Sequence, residues 1–256
     1  MRPRTRQRAD LLLVERGLAP SRERARALIL AGKVFCGARR IDKAGDTLDS
    51  DTELVVRVPD HPYVSRGGVK LAGALDAFGL DPTGVVAADF GASTGGFSDC
   101  LLQRGAARVY AIDVGRAQLH ERLRADPRVV VMEGTNARHL SAGDLPETPD
   151  WVVIDAAFIG LAKLLPAACA LLVPGGTLLA LVKPQFEVGR GHVGRGGVVR
   201  DEHARAEAIA KVAACAEALG FVLAGQADSV LPGPAGNREC FLHLRLGAAA
   251  LPGHER

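Results

Sequence analysis

Between residues 85 and 246 the chain repeats one pattern: a short apolar run, then a stretch able to form a helix, then another apolar run. VVAADF, ARVYAIDV, RVVVME, WVVID and GTLLALVK read as successive strands, each bounded by glycine or polar residues. GGFSDCLLQRG reads as a loop feeding a helix closed by Gly105, and DEHARAEAIAKVAACAEALG as a long amphipathic helix ending at Gly220. FVLAGQADS and ECFLHLRL supply two final strands. Strands that alternate with helices predict a doubly wound α/β sheet. In such a sheet ligands bind at the carboxyl ends of the strands, so the residues there carry the function.

The loop after the first strand is DFGASTGGFSD. No Gly-Lys-Ser/Thr follows, so it is not a P-loop, and it lacks the full GxGxxG spacing of a dinucleotide site. It does place Gly91, Gly95 and Gly96 after Asp89, where glycines let the backbone approach a ligand closely. Asp113 ends the next strand, where a carboxylate can take both hydroxyls of a ribose, and Asn136 after the third strand is placed to meet an adenine. An acid, a glycine loop and a second acid at consecutive strand ends form the pattern of S-adenosylmethionine sites. The expected cofactor contacts are Asp89, Gly91, Ala92, Ser93, Thr94, Gly95, Gly96, Phe97, Asp113 and Asn136.

Later strand ends carry ionisable residues. Asp155 ends the fourth strand, Lys183 ends the fifth inside LVKPQFE, and Glu239 begins the last in GNRECFL. Lys70 lies near the start of a helix predicted over 69–78, after a Gly67-Gly68 pair expected to loosen the chain. A lysine at a helix start is ordinarily exposed, since that end favours anions. Lys70, Asp155, Lys183 and Glu239 are the candidate catalytic residues.

Charge divides the chain. Residues 1–40 hold eleven Lys/Arg against three Asp/Glu, a net of +8, while the rest holds 21 against 26, a net of −5. A cationic end joined to an acidic remainder suggests a polyanion-binding module. DLLLVERG reads as a short helix that Asp10 caps and Gly17 ends. SRERARALILA reads as a second helix with Ser21 as N-cap. Its Ala25, Leu28 and Ile29 fall on one face, with Arg22, Arg26 and Lys33 outside that stripe. VFCGARRI reads as two short strands about a glycine turn and TELVVRV as another strand. The stretch RADLLLVERGLAPSRERARALILAGKVFCGARRI resembles the RNA-binding domain of ribosomal small-subunit protein four. Cys36-Gly37 stands where that family usually has Asn-Gly. Structured RNA is recognised by phosphates and shape, which suits an arginine face in a module whose one aromatic is Phe35.

Five dispersed cysteines form no CxxC or Cys/His cluster, so no zinc site or other metal site is legible, and reduced thiols are expected. No apolar run is long enough to span a bilayer, and the stretch after the basic N-terminus is too short for a signal-peptide core. A cytoplasmic protein is the expectation. The boundaries expected are an RNA-binding domain at 1–58, a linker and leading helix at 59–80, the α/β domain at 81–246 and a tail at 247–256.

YVSRGGVKL, DFGASTGGFSDCLL, AIDVGRAQL, RVVVMEGTNAR, LVKPQFEVGRGHVGRGGVVRD and LPGPAGNRECFL resemble the TlyA-type, or hemolysin A, ribosomal RNA methyltransferases, relatives of the FtsJ-type 2'-O-methyltransferases. The resemblance covers nearly the whole chain. It implies a Rossmann-like methyltransferase sheet behind a small α+β RNA-binding domain. It also implies transfer of a methyl group from S-adenosylmethionine to cytidine 2'-hydroxyls of 16S and 23S ribosomal RNA, and a catalytic tetrad at Lys70, Asp155, Lys183 and Glu239. One departure lies in IDAAFIGL, where the family commonly has serines at positions 157 and 160. Expected RNA contacts are Arg8, Ser21, Arg22, Arg26, Lys33 and Arg66, with Arg190 and Arg195 in a glycine-rich loop able to close over phosphates. The expected partner is ribosomal RNA or a ribosomal subunit, with neither a membrane nor an obligate protein partner legible. The rival readings are a base methyltransferase, against which the IDAAF end of strand four counts, a non-catalytic RNA-binding assembly factor, and a hydride-transfer enzyme.

Overall fold

The computed structural model describes residues 6–19, 21–30, 32–56, 61–189, 191, 193–194 and 196–248. The chain divides into two compact units, residues 1–62 and 63–256.

In the first unit, β1 (Arg6–Arg8) leads directly into α1 (Ala9–Glu15), and α2 spans Arg22–Leu30. Three short strands, β2 (Val34–Cys36), β3 (Arg39–Arg40) and β5 (Val55–Val56), form one sheet with β2 in the centre. The fourth, β4 (Thr47–Asp49), pairs antiparallel with β1, with Arg8 opposite Thr47. The core is small: Leu12 and Leu13 of α1 and Ala25 and Ile29 of α2 pack with Val34, Ile41 and Leu54. Ser21 caps α2 as expected, its hydroxyl accepting from the Arg24 amide at 3.2 Å. Asp10 does not cap α1. The helix begins one residue earlier, with Arg8 at its N-cap position and no side-chain cap. Asp10 sits within the first turn and turns its carboxylate inward, where arginines meet it.

The second unit opens with α3 (Arg66–Phe78), which starts three residues before the predicted position. The Ser65 hydroxyl accepts from the Gly67 amide and caps it. Gly67 and Gly68 therefore lie within the helix and do not loosen the chain. Gly68 is needed for proximity: a Cβ there would stand 2.4 Å from Tyr63 Cγ and 2.9 Å from the Gly96 carbonyl oxygen. There follow β6 (Val86–Phe90), α4 (Gly96–Gln103), β7 (Arg108–Asp113), α5 (Glu121–Arg124), β8 (Val129–Glu133) and β9 (Trp151–Ile154). The chain continues through α6 (Leu165–Leu171), β10 (Thr177–Val182), α7 (Pro184–Glu187), α8 (Glu202–Glu217), β11 (Phe221–Asp228) and β12 (Cys240–Leu246).

These seven strands form one sheet in the order β11-β12-β10-β9-β6-β7-β8. All pairings from β10 to β8 are parallel, and β12 runs antiparallel to both neighbours. Alternate strand residues face opposite cores, as a period of two requires. Ala87, Val109, Val153 and Leu179 pack under α3 and α4. Ala88, Tyr110, Val152 and Leu178 pack under α6 and α8. The chain leaves β6 toward β7 and β8, then returns to β9 on the other side. The crevice opens at that reversal, between the carboxyl ends of β6 and β9. No helix among the described residues is long and apolar enough to cross a membrane.

Candidate active site

Two adjoining clefts open at the carboxyl edge of the sheet, and both are lined by residues of the second unit alone. The first, about 460 Å³, is lined by Lys70, Asp155, Lys183 and Glu239 together with Asp89, Ser93, Phe97 and the rim residue Arg66. The second, about 530 Å³, is lined by Asp113, Asn136 and Gln118 and by the apolar Ile112, Val114, Ile159 and Leu164. Gly91, Ser93, Asp155 and Ala157 border both.

The four candidate catalytic residues form two ion pairs. Lys183 Nζ lies 2.7 Å from Asp155 Oδ1. Lys70 pairs with Glu239, and both are nearly inaccessible. Lys70 is thus not the exposed lysine ordinarily found at a helix start. A counter-charge from far along the chain lets α3 carry a buried lysine in its first turns, whereas an unpaired ammonium there would be strongly unfavourable.

The loop after β6 is shaped by sterics and by two carboxylates. Gly91 has φ +83°, and a Cβ on it would stand 2.9 Å from the Asp155 carbonyl oxygen. A Cβ on Gly96 would stand 2.2 Å from Ser65 Oγ. Glycines here let the loop lie against both β9 and α3. Asp113 Oδ2 accepts from the Ser93 amide at 2.8 Å, and its Oδ1 accepts from the Gly115 amide at 2.7 Å. It thereby fixes the loops on either side of the second cleft. Asn136 is exposed at the cleft wall, with its Oδ1 accepting from the Arg138 amide.

Asp89 is wholly buried. Its Oδ2 accepts from the amide and hydroxyl of Ser98 at 2.9 and 2.7 Å, while Oδ1 has no partner among the described residues. Burial pushes its carboxyl up to about 7, with the nearby charges of Asp155 and Asp113 adding to the rise. An unpaired buried carboxylate oxygen at a cleft wall is a group awaiting a donor or a cation. The site therefore fits a ligand that brings a donor or positive charge to Asp89.

Two further residues, one anchoring the segment 117–119 beside the second cleft and one lining that cleft, were not among the expected ones. Glu133, ending β8, accepts from the amides of Ala117, Gln118 and Leu119 and from Arg124. Chiefly the Arg124 bond, and then these amides, hold its carboxyl down to about 2. Its signal was an acid at a third strand end. Phe158 is 92% exposed and adopts φ +65°, a strained conformation for a side chain of that size. It lines the second cleft beside Phe186, with ring centroids 5.4 Å apart. Its exposure had no sequence signal, because an aromatic after an apolar strand is ordinarily core.

The expected RNA contacts fall in both units. Arg8, Arg22 and Arg26 converge on Asp10. Ser21 is used as the α2 cap, and Lys33 is half-buried after the turn at Gly32. Arg66 is exposed and donates to the Pro232 carbonyl at 3.3 Å. Arg190 and Arg195 lie outside the described residues.

The sequence pattern of FtsJ-like methyltransferases matches residues 63–246, and that of the S4 domain matches residues 7–54. The chain is 45% identical over 250 residues to a Bacillus subtilis (strain 168) protein named as a candidate rRNA methyltransferase, YqxC, covering 97% of this chain and 89% of that protein. It is 49% identical over 241 residues to the 16S/23S rRNA (cytidine-2'-O)-methyltransferase TlyA of Mycobacterium tuberculosis, covering 94% and 90%. Among solved structures, a candidate hemolysin from Streptococcus thermophilus is 41% identical and superimposes with a TM-score of 0.73, covering 96% of this chain and 90% of that one.

Proposed function

The chain belongs to the FtsJ-like methyltransferase family, with an S4 domain ahead of the methyltransferase domain, and from that premise we propose that it methylates the 2'-hydroxyl of a cytidine in 16S or 23S ribosomal RNA. One observation carries the reading: the Lys183–Asp155 and Lys70–Glu239 pairs stand in the same cleft as the glycine loop and Asp89. S-adenosylmethionine supplies an electrophilic methyl group on a cationic sulfur. Asp89 and the backbone of residues 91–97 would hold its charged end, and Asp113 and Asn136 its nucleoside.

A ribose hydroxyl attacks only as it loses its proton. In our reading Lys183 meets that oxygen, and Asp155, 2.7 Å away, fixes the lysine's position. Lys70 completes the wall of the cleft, and Glu239 holds Lys70 there. Lys183, an ammonium in its pair with Asp155, first releases one proton to solvent, and the neutral amine then takes the hydroxyl proton as that oxygen bonds to the methyl carbon, which the bound cofactor would supply while keeping the electron pair of its sulfur–carbon bond. Most of the protein's contribution is alignment. Phe158 offers an open ring on which an unstacked base can lie. The S4 domain, with Arg8, Arg22 and Arg26, would grip RNA phosphates, as would Arg190 and Arg195. We infer from this reading a cytoplasmic protein whose partner is ribosomal RNA or a ribosomal subunit.

The test is Lys183→Ala with a ribosomal RNA substrate. The variant is expected to bind cofactor and RNA while losing about 100- to 10,000-fold in methyl transfer. Lys183→Arg then separates proton transfer from charge, because arginine keeps the charge and does not give up a proton near neutral pH. Nucleoside mass spectrometry that finds the methyl on the base, not the ribose, overturns the assignment.

A further inference from the structure

Asp10 is completely inaccessible, yet it lies in the unit that carries the positive charge. Its Oδ2 accepts from Arg8 Nη2 at 3.1 Å, Arg22 Nη2 at 3.2 Å and Arg26 Nε at 3.2 Å, and its Oδ1 accepts from Arg8 Nε at 3.0 Å. The three side chains that reach it are half exposed, at 44, 48 and 54%. They come from the end of β1 and from two turns of α2. Three bonding nitrogens within reach of one oxygen stand no farther apart than twice those distances. Without the carboxylate, three guanidinium groups so close would repel one another and spread. Each guanidinium has five N–H donors and gives Asp10 only one or two of them. The cluster keeps a net charge of +2 and several outward donors in a fixed arrangement.

We propose that Asp10 is a positioning residue for RNA binding, a buried hub that presents Arg8, Arg22 and Arg26 together to a backbone phosphate. The proposal rests on the reading of this unit as RNA-binding. A purely structural hub has a weaker rationale, since well-packed apolar residues join two helices at least as firmly as a buried ion cluster does. A phosphate oxygen, by contrast, is matched by paired guanidinium donors, and pre-ordering them removes the cost of gathering three long side chains on binding.

The charge makes the proposal testable by sign. Asp10→Asn removes a negative charge beside the phosphate position. If the arginines acted as loose charges, the variant would bind RNA more tightly and with a steeper salt dependence. If Asp10 positions them, the full-length variant binds a transcribed ribosomal RNA fragment about tenfold more weakly. Its plot of log affinity against log salt is then shallower by about 0.7–0.9, the loss of one phosphate contact. In methyl-transfer kinetics the loss falls on KM for RNA, and S-adenosylmethionine binding by calorimetry stays as in the wild type. Equal or tighter binding by folded Asp10→Asn overturns the proposal. If that variant unfolds, Asp10→Glu keeps the charge and displaces it by one methylene, and wild-type binding by it overturns the proposal equally. Arg22→Ala combined with Arg26→Ala is the control. If it leaves RNA affinity and its salt dependence unchanged, the RNA-binding reading falls as well. If it weakens binding while the Asp10 variants do not, only the role of Asp10 falls.

Discussion

Asp89→Asn probes the most unusual electrostatic feature of the site. The Asp89 carboxyl is wholly buried, has one unpartnered oxygen and lies near Asp155 and Asp113. Burial first, and those two carboxylates next, raise it from the ordinary aspartate value to about 7. In the unfolded chain the same group ionises near pH 4. Below that pH both states are protonated and nothing differs. Between about 4 and 7 the unfolded chain has lost the proton and the folded protein has kept it, so stability falls as pH rises through that window. Above about 7 both states are ionised and the difference stays constant. The full gap corresponds to roughly 4 kcal/mol, an upper figure because a cleft wall admits water.

Asparagine cannot ionise, and it keeps a carbonyl oxygen for the two Ser98 bonds. Urea unfolding of ligand-free wild type and Asp89→Asn at several pH values between 4.5 and 8 reads the difference directly. Other titrating groups act in both proteins and cancel. The variant is expected to gain on the wild type by up to a few kcal/mol as pH rises, with the gain levelling off above about pH 7. Parallel stability curves would mean that Asp89 ionises in the folded protein at an ordinary pH, and the argument from burial would fail. In the wild type, cofactor binding should strengthen between pH 6 and 8 as Asp89 becomes an anion facing a cationic ligand. A pH dependence that persists in the variant would move that role to another group.

Lys70→Met alone strands the Glu239 carboxylate and should cost about 3–5 kcal/mol in thermal or urea unfolding, with Glu239→Leu alone similar. The double variant should be more stable than either, and simple additivity would show that the pair is not energetically coupled. Gly96→Ala places a Cβ 2.2 Å from Ser65 Oγ and 2.9 Å from the Gly68 amide nitrogen. It should cost about 1–3 kcal/mol and lower methyl transfer by shifting the start of α3, and unchanged kinetics would show that α3 yields freely. Glu133 is held down to about 2, so its contribution is present above the unfolded value near 4.3 and is lost as pH falls toward 2. Glu133→Gln should flatten that acid-side loss and speed hydrogen exchange at the amides of Ala117, Gln118 and Leu119. Wild-type acid sensitivity and exchange would refute the assigned anchoring.

The central strands of the sheet were legible because their residues are apolar enough to be buried on both faces, and turn residues mark the ends of these strands and of the more exposed β8 and β11. The bounds of β6 to β12 fall within about two residues of the runs read from sequence. Less legible were elements whose reasons are distant. The start of α3 contains two glycines, poor helix formers, and close packing on Tyr63 and Gly96 overrides that preference. The seven residues of α6, LPAACAL, are too short and too uniformly small and apolar to show a helical period. Asp10 resembled a cap because it opens an apolar run, while two of the three arginines that claim it lie 12 and 16 residues farther on. Within the candidate site, sequence order names the residues at strand ends but not their pairing. Nothing local says that Lys70 turns to Glu239 or Lys183 to Asp155.

The pairing follows from sheet topology. In a sheet of parallel strands, side chains that meet a ligand come from carboxyl ends, as Asp89, Asp113, Asp155 and Lys183 do. Glu239 precedes its strand and would lie at the opposite edge if β12 were parallel. Because β12 runs antiparallel, its first residue, Cys240, pairs with Val182, the last residue of β10. Glu239 and Lys183 each lie one residue beyond that pair, at the same edge of the sheet. The reversed strand thus adds a carboxylate where β10 has already placed an ammonium, and α3, packed on the face beneath, brings Lys70 to that carboxylate. Two cations and two anions, drawn from one helix and three strands, are fixed at one cleft by the sheet register. A one-residue slip of β12 against β10 would turn Glu239 to the other face of the sheet and leave Lys70 buried without its partner.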